Sequence, residues 1–335
     1  MLSLFFIPLQ FVKIIMCMMK NRFYISFIGL LISVSAMAQE TFELFKYGDM
    51  DSWVTRRIEE SSIIGGNVKY LYELGPDMNF DGNIPYKNQG GSPWGNSNVM
   101  AKVAGIVKTN TSVFPEKLSR GKCARLETHV ESVKVLGLVN ISVIASGSLF
   151  LGDIKEPITG TKDGEEKLNC GVSFSKRPKA IRYDYKVKMS DQKDRIRMTG
   201  FSKKSVVKGK DAAIMVCYLQ KRTEDAEGNI IAKRVGTAAV KYSENSDWKK
   251  GVTYEIMYGD ITGNSNYVPE LMALGTGGYH ARNSEGESVM IKENGWADKN
   301  EIPTHIIVQF TSSIGGAFVG SPGNTLWIDN VGVVY

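Results

Sequence analysis

An indole and two amides share one short stretch of this chain, Gly90-Gly-Ser-Pro-Trp-Gly-Asn-Ser-Asn98. A flat ring such as Trp94 offers a π face to apolar C–H groups. Amides such as Asn96 and Asn98 can exchange hydrogen bonds with hydroxyls beside it. Tyr86 lies in the same loop. The combination suits a ligand that is apolar on its ring face and polar around its edge, as a pyranose is. The opposing reading is that Trp94 plugs a core beneath its loop, because Trp is highly buried on average. Trp296 and Tyr279, in the Gly-rich stretch 275–300, and Tyr267 just before it form a second set of stacking candidates. Trp53 and Trp327 sit in or beside strand-like runs and read as core.

The carboxylates are less directed. Hydrolysis of a glycosidic bond needs two carboxyl groups across a cleft. Asp49, Asp51, Glu73, Asp77, Asp81 and Asp260 are available, but no spacing fixes a pair. Asp329 stands in the middle of the apolar run Thr325–Val334, where a carboxylate needs hydrogen bonds, an ion partner or a metal. His129, His280 and His305 are scattered. There is no H-E-x-x-H, C-x-x-C, G-x-S-x-G or P-loop. Gly275-Thr-Gly-Gly278 lacks the strand-to-helix setting of a nucleotide loop.

The elements that must hold these residues are almost all strands. The chain has 335 residues, 43% hydrophobic and 23% charged, ordinary globular values. Apolar residues recur at period two through Thr41–Phe45, Asn67–Leu74, Val99–Lys108, Ala124–Val133 and Val139–Leu151. The pattern resumes through Lys179–Met189, Ala212–Leu219, Ile230–Val240, Trp248–Ile256, Pro303–Ser312 and the closing run. Residues 75–98, 152–178 and 275–300 read as loops, and Tyr267–Leu274 as a short helical turn. Roughly ten to twelve short antiparallel strands with long loops, and no βαβ alternation, argue an all-β sandwich. In the closing strand, Thr325, Trp327, Asp329, Val331 and Val333 should face one way and Leu326, Ile328, Asn330 and Val334 the other. That strand should lie inside a sheet.

The first 38 residues read as an export signal with an upstream extension. Met19-Lys-Asn-Arg22 is basic, Phe23–Val34 is apolar, and Ser35-Ala-Met-Ala38 offers a cleavage site. Translation could begin at Met18 or Met19. An uncleaved anchor is the alternative, for which the apolar run is short against a span of ~20 residues. Cleavage would leave residues 39–335 as one domain and lower the basic count from 41 to 38 against 35 acids, a net charge of +3. That balance carries no nucleic-acid signature, and the mature chain should contain no transmembrane span. Cys123, Cys170 and Cys217 are too few and too odd for a disulfide framework. One bridge involving Cys170 is left open by an oxidising compartment.

Several segments in series resemble a known family. Phe45-Lys-Tyr-Gly-Asp-Met-Asp-Ser-Trp53 is similar to its opening motif, and Trp94–Asn98 follows at the expected distance. Gly121-Lys-Cys-Ala-Arg-Leu-Glu-Thr128, Ala145-Ser-Gly-Ser-Leu-Phe-Leu-Gly152 and Phe174–Lys179 before Tyr183-Asp-Tyr-Lys186 continue the series. The longest similarity runs from Ser312 to Tyr335. Together they resemble the PCMD family, the "putative carbohydrate metabolism domain". The resemblance implies a jelly-roll sandwich similar to carbohydrate-binding modules and brings no accepted catalytic mechanism. It also implies that Asp329 could hold a structural Ca²⁺ between the first and last strands, with Glu43 or Asp49 supplying the other side. The bland alternative for Asp329 is a backbone cap.

These readings lead first to a secreted, non-catalytic binder of polysaccharide or oligosaccharide in the periplasm, at the outer membrane or on the cell surface, working beside other glycan-utilisation proteins. A glycoside hydrolase or other carbohydrate-active enzyme on the same scaffold is the second reading. A structural or adhesive surface protein is the third.

Overall fold

Strands that alternate apolar and polar residues bury one face each, so two sheets must close on one another. The computed structural model of the chain describes residues 40–135, 139–160, 166–200 and 204–335. The targeting segment expected over residues 1–38 lies outside them. In chain order the strands begin with β1 (Phe42–Leu44), β2 (Trp53–Glu59), β3 (Val68–Leu74), β4 (Met78–Asp81), β5 (Trp94–Asn96), β6 (Val99–Val103), β7 (Ile106–Asn110) and β8 (Val113–Lys117). They continue with β9 (Lys122–Val135), β10 (Val139–Ser146), β11 (Ser148–Ile154), β12 (Leu168–Cys170), β13 (Val172–Ser173), β14 (Ala180–Lys188), β15 (Arg195–Arg197), β16 (Thr199–Gly200) and β17 (Ser205–Val207). The remainder are β18 (Ala213–Glu224), β19 (Ile230–Tyr242), β20 (Ser246–Glu255), β21 (Met257–Tyr258), β22 (His280–Arg282), β23 (Ser288–Met290), β24 (Lys292–Trp296), β25 (His305–Thr311), β26 (Val319–Gly320) and β27 (Thr325–Val334). The one-turn helix α1 (Pro269–Met272) falls within the Tyr267–Leu274 segment read as a helical turn and starts on its Pro. Among the described residues no helix is long and apolar enough to cross a membrane.

The fold is an all-β sandwich. One sheet runs β16-β10-β9-β27-β14-β20, and the other β12-β11-β25-β18-β19-β21. Their facing sides share a core that includes Leu126, Tyr183, Leu326 and Ile328 from the first sheet and Leu151, Cys217, Val308 and Phe310 from the second. Tyr183 and Phe310 meet edge to face across it, 4.9 Å between centroids. Each such buried side chain stabilises the fold by about 1.5–3 kcal/mol. The three cysteines of the described residues are buried and free, so the bridge through Cys170 does not form.

Two expected strands are broken, each for a steric reason. Val139–Leu151 divides at Gly147, where the chain leaves one sheet for the other. A Cβ there would lie 2.4 Å from the Ser112 carbonyl oxygen and 2.6 Å from the Glu127 nitrogen, so only Gly permits the crossing. Val99–Lys108 is a hairpin, β6 to β7, turning at Ala104 and Gly105 with φ of 49° and 81°. Two positive φ angles are what a tight hairpin turn requires.

β27 lies inside its sheet, with β14 on one side and β9 and β1 on the other. Its faces differ from the simple alternation. Asn330 has φ of 53°, a left-handed conformation that Asn tolerates, and the pairing with β14 slips between Arg182 and Asp184. The bulge reverses the phase, so Val331 and Val333 join Leu326 and Ile328 in the core rather than following Trp327 outward.

Candidate functional site

The indole and amides of the 90–98 stretch are inside the protein. Trp94 is 3% exposed; its Nε1 donates to the Lys46 carbonyl at 2.9 Å, and its ring meets Phe45 at 6.0 Å. The cause is β5, which pairs with β11 and carries Trp94 into the main core. Asn98 is 0% exposed. Its Oδ1 accepts from the Ser112 and Val113 amides, and its Nδ2 donates to the Tyr72 and Val113 carbonyls. Asn96 donates to the Tyr72 carbonyl and to Glu73 Oε2. Tyr86 is half-buried, 5.1 Å beneath the Arg56 guanidinium. This is the opposing reading of the loop: the stretch is a plug, and Trp94, Asn96 and Asn98 present nothing to a sugar. The structure does not gather Trp296 and Tyr267 into a platform either. Both are half-buried and packed against the satellite core under α1, Trp296 lying 5.9 Å from the Arg234 guanidinium.

Of the carboxylates expected at a calcium ion, Glu43 stands apart from Asp329. Glu43 pairs in register with Val333, four residues along β27 from Asp329. At roughly 3.3 Å per residue that separates them by about 13 Å. The Glu43 carboxylate is bound to Lys176 Nζ at 2.8 and 2.6 Å. Among the described residues no three Asp, Glu, His or Cys side chains form a group able to hold a metal ion. Asp329 instead accepts the Asn330 amide at 2.8 Å, tying down the bulge. Burial pushes its carboxyl up to about 7, helped by the nearby charges of Asp184, Asp51 and Asp49 and opposed by that bond. Glu43 and Asp329 therefore do not fit one calcium shell.

Beside the plug lies a second buried polar cluster. Arg56 makes a two-pronged ion pair with Glu156, at 3.0 and 2.6 Å, and reaches Glu73 at 3.3 Å. Burial, aided by the charge of Glu156 and opposed by Arg56, raises the Glu73 carboxyl to about 8. This cluster fastens β2 and β3 to the 154–158 segment and reaches no cleft.

Exposed aromatic surface lies on β3. Its alternation sends Leu71 and Glu73 inward and Tyr70 and Tyr72 outward. Tyr70 is 47% exposed. Tyr72 lies 6.1 Å from Phe114 of β8, whose ring is backed by the Arg125 guanidinium at 4.4 Å. These three rings, with Val68, Lys69, Thr109, Thr111 and Glu131, line a shallow groove of about 270 Å³. Glu131, on β9, is the carboxylate of the groove, with its side chain 22% exposed. Its Oε1 accepts Lys108 Nζ at 2.6 Å and its Oε2 lies 3.4 Å from His129 Nε2. Burial opposes the charge on Glu131, but the bonds from His129 and Lys108 outweigh it and hold the carboxyl down at about 2. Lys108 Nζ is shared with buried Glu60 at 2.9 Å.

The sequence reading recognised β3 as a strand but did not use its content. Tyr70 and Tyr72 at i and i+2 are two aromatics on one face of one strand, a signal that was available. Phe114 and Glu131 could not be joined to them without the pairing of β8 with β9. A larger cleft, about 560 Å³, opens between β1 and β13 and is lined by Leu44, Phe45, Val172, Phe174 and Pro303 among others. Its charged groups are engaged: Glu43 with Lys176, and Lys46 with the Gly90 carbonyl.

Comparison with known proteins bears on the whole scaffold. No curated protein matches the chain. A crystal structure described as "a putative glycoside hydrolase" from Bacteroides thetaiotaomicron is 17% identical, over 80% of this chain and 75% of that one, with a TM-score of 0.42. Another described in the same words, from Bacteroides vulgatus, is 14% identical over 88% of this chain and 94% of that one, with a TM-score of 0.41. The family model described as "Putative carbohydrate metabolism domain" matches residues 76–262. That match takes in Thr109, Thr111, Phe114 and Glu131 of the groove and leaves out Tyr70 and Tyr72. Since it spans more than half of the sequence, the chain belongs to the PCMD family of carbohydrate-metabolism domains.

Proposed function

We propose that this protein is a secreted, non-catalytic glycan-binding sandwich and that the groove of Tyr70, Tyr72 and Phe114 is its binding face. The observation that supports this most directly is the exposure of Tyr70 in a groove that also holds Tyr72, Phe114 and a carboxylate. Aromatic rings take the apolar face of a pyranose, and a fixed polar group beside them takes its hydroxyls. Membership of a carbohydrate-metabolism family supports the ligand class. The low position of the Glu131 carboxyl suits an acceptor, because a general acid must carry a proton near working pH. The export signal read in the sequence supports a site of action outside the cytoplasm, on polysaccharide or oligosaccharide handled by neighbouring proteins.

Affinity gel electrophoresis against a polysaccharide panel tests the reading. Retardation by at least one glycan is expected, together with a tenfold or greater loss of affinity in Tyr70→Ala, about 1.4 kcal/mol. Tyr70 is half in solvent, so the variant should lose no more than about 0.5 kcal/mol of stability. Unchanged retardation in Tyr70→Ala would remove the groove from consideration. Release of reducing ends from the same panel would overturn the non-catalytic assignment.

A further inference from the structure

Resting on the groove as the glycan site, the geometry points to a specificity: we infer that it selects neutral glycans through their hydroxyl donors, with Glu131 as the specificity-determining acceptor. The argument follows the direction of each hydrogen bond already made around the groove. Thr109 Oγ1 donates to Glu60 at 2.8 Å, and Thr111 Oγ1 donates to the Tyr70 carbonyl at 2.9 Å. Both hydroxyl protons are therefore committed to the protein; Thr109 is buried, and what Thr111 has left for a ligand is lone pairs. Glu131 is a carboxylate and can only accept. Its two oxygens are oriented by Lys108 and His129, which fixes the acceptor in place before any ligand arrives. The polar side of the groove is thus acceptor-rich, opposite the rings of Tyr70, Tyr72 and Phe114.

Such a wall distinguishes ligands by what their ring edges carry. A neutral sugar brings O–H donors on carbons adjacent to the face that stacks. A uronate or a sulfate ester brings an anion with no proton to give, and places it against Glu131. The cation nearest that carboxylate does not reverse the preference, because Lys108 is divided between Glu131 and Glu60. Lys69 is exposed at the rim, where solvent and salt screen it. Glu131 is held as a carboxylate by its contacts with Lys108 and His129, so it faces a neutral glycan as an acceptor.

The test uses the full chain in affinity gels. One set holds neutral polysaccharides: an unsubstituted β-glucan, starch, mannan, galactan and arabinan. The other holds polygalacturonate, alginate and chondroitin sulfate. Retardation is expected with at least one neutral member and with none of the acidic ones. Glu131→Gln, with its melting curve recorded to show that it folds, should weaken the neutral interaction at least tenfold. A second measurement needs no variant. A per-O-methylated oligosaccharide of the bound glycan keeps its ring faces but has no O–H donors, so it should fail to compete where the native oligosaccharide competes. Equal or stronger retardation by an acidic polysaccharide, competition by the methylated sugar, or full affinity in folded Glu131→Gln would overturn the inference. If those results come with loss of binding in Tyr70→Ala, the groove stands and only its specificity falls. If Tyr70→Ala binds fully, or no neutral member is retarded, both fall.

Discussion

Glu73, on β3, and Glu131, on β9, are both glutamates, yet their surroundings drive them in opposite directions. Glu73 is sealed under β3, and burial raises its carboxyl to about 8. Its folded value lies above the ordinary 4.5, so the stability it contributes is complete below pH 4.5 and is lost as pH rises toward 8. The slope for one such group is at most ~1.4 kcal/mol per pH unit. Asp329, raised to about 7, acts in the same window. Glu73→Gln should therefore flatten, without abolishing, the fall in urea midpoint between pH 5 and pH 8.5; an unaltered slope would mean that Glu73 is ionised in the folded protein. Glu131 behaves inversely. Its lowered value places its contribution above pH 4.5, to be lost only as pH falls toward 2.

At the scale of elements, long alternating runs were legible because period two survives any pairing. β9, β14, β18, β19 and β25 were all recognisable on that basis. Three-residue strands such as β5 carry too little pattern, and their environment is set by a partner far along the chain. This is why Trp94 read as a loop aromatic and is a core residue. The phase of β27 was misread for a related reason, since a bulge is decided by one residue's φ and alternation cannot reveal it. Asn330 is held by its own Nδ2, which donates to Asp184 Oδ2 at 3.1 Å, while Asp184 Oδ1 accepts the Gly251 amide at 2.5 Å. Asn330→Val should destabilise by about 1–2 kcal/mol from the positive φ alone, with the lost bond adding to it. Asn330→Gly should cost less, because Gly adopts that conformation freely. Chemical denaturation of the two variants side by side checks the order, and equal losses would argue that the bond matters more than the backbone.

Seen as a whole molecule, the protein devotes its closing segment to the scaffold. The segment from Ser312 into β27 is fastened by buried Asp211, which accepts from Ser313 Oγ, the Ile314 and Ser321 amides and Asn324 Nδ2. Ser312 Oγ bonds Thr128 Oγ1 at 2.8 Å across the joint. That segment holds the sandwich together, and it lies outside residues 76–262, which the family model matches. The groove, assembled from β3, β8 and β9 with the end of β7, belongs to no single segment, and only the Tyr70–Tyr72 pair on β3 left a linear trace. The same view bears on metal. With Glu43 remote and Asp329 engaged by the backbone, we propose that the backbone cap describes Asp329 better than a calcium ligand. Addition of EDTA or of millimolar CaCl₂ should then move Tm by less than about 1 °C, whereas a site saturated a hundredfold above its Kd would add about 2.7 kcal/mol.

The place of β27 has a kinetic side. It pairs with Glu127 at Thr325, with Ala180 and with Phe42 at Val334, so the middle of one sheet is completed by contacts among the most distant in sequence that the chain makes. Until that strand arrives, β9 and β14 each hold a bare edge. Pairings of such separation form slowly, because loop closure must precede any reward from contact, and bare edges invite pairing with other chains. Refolding of this protein should accordingly be limited by the capture of a single strand, and its yield should fall as protein concentration rises.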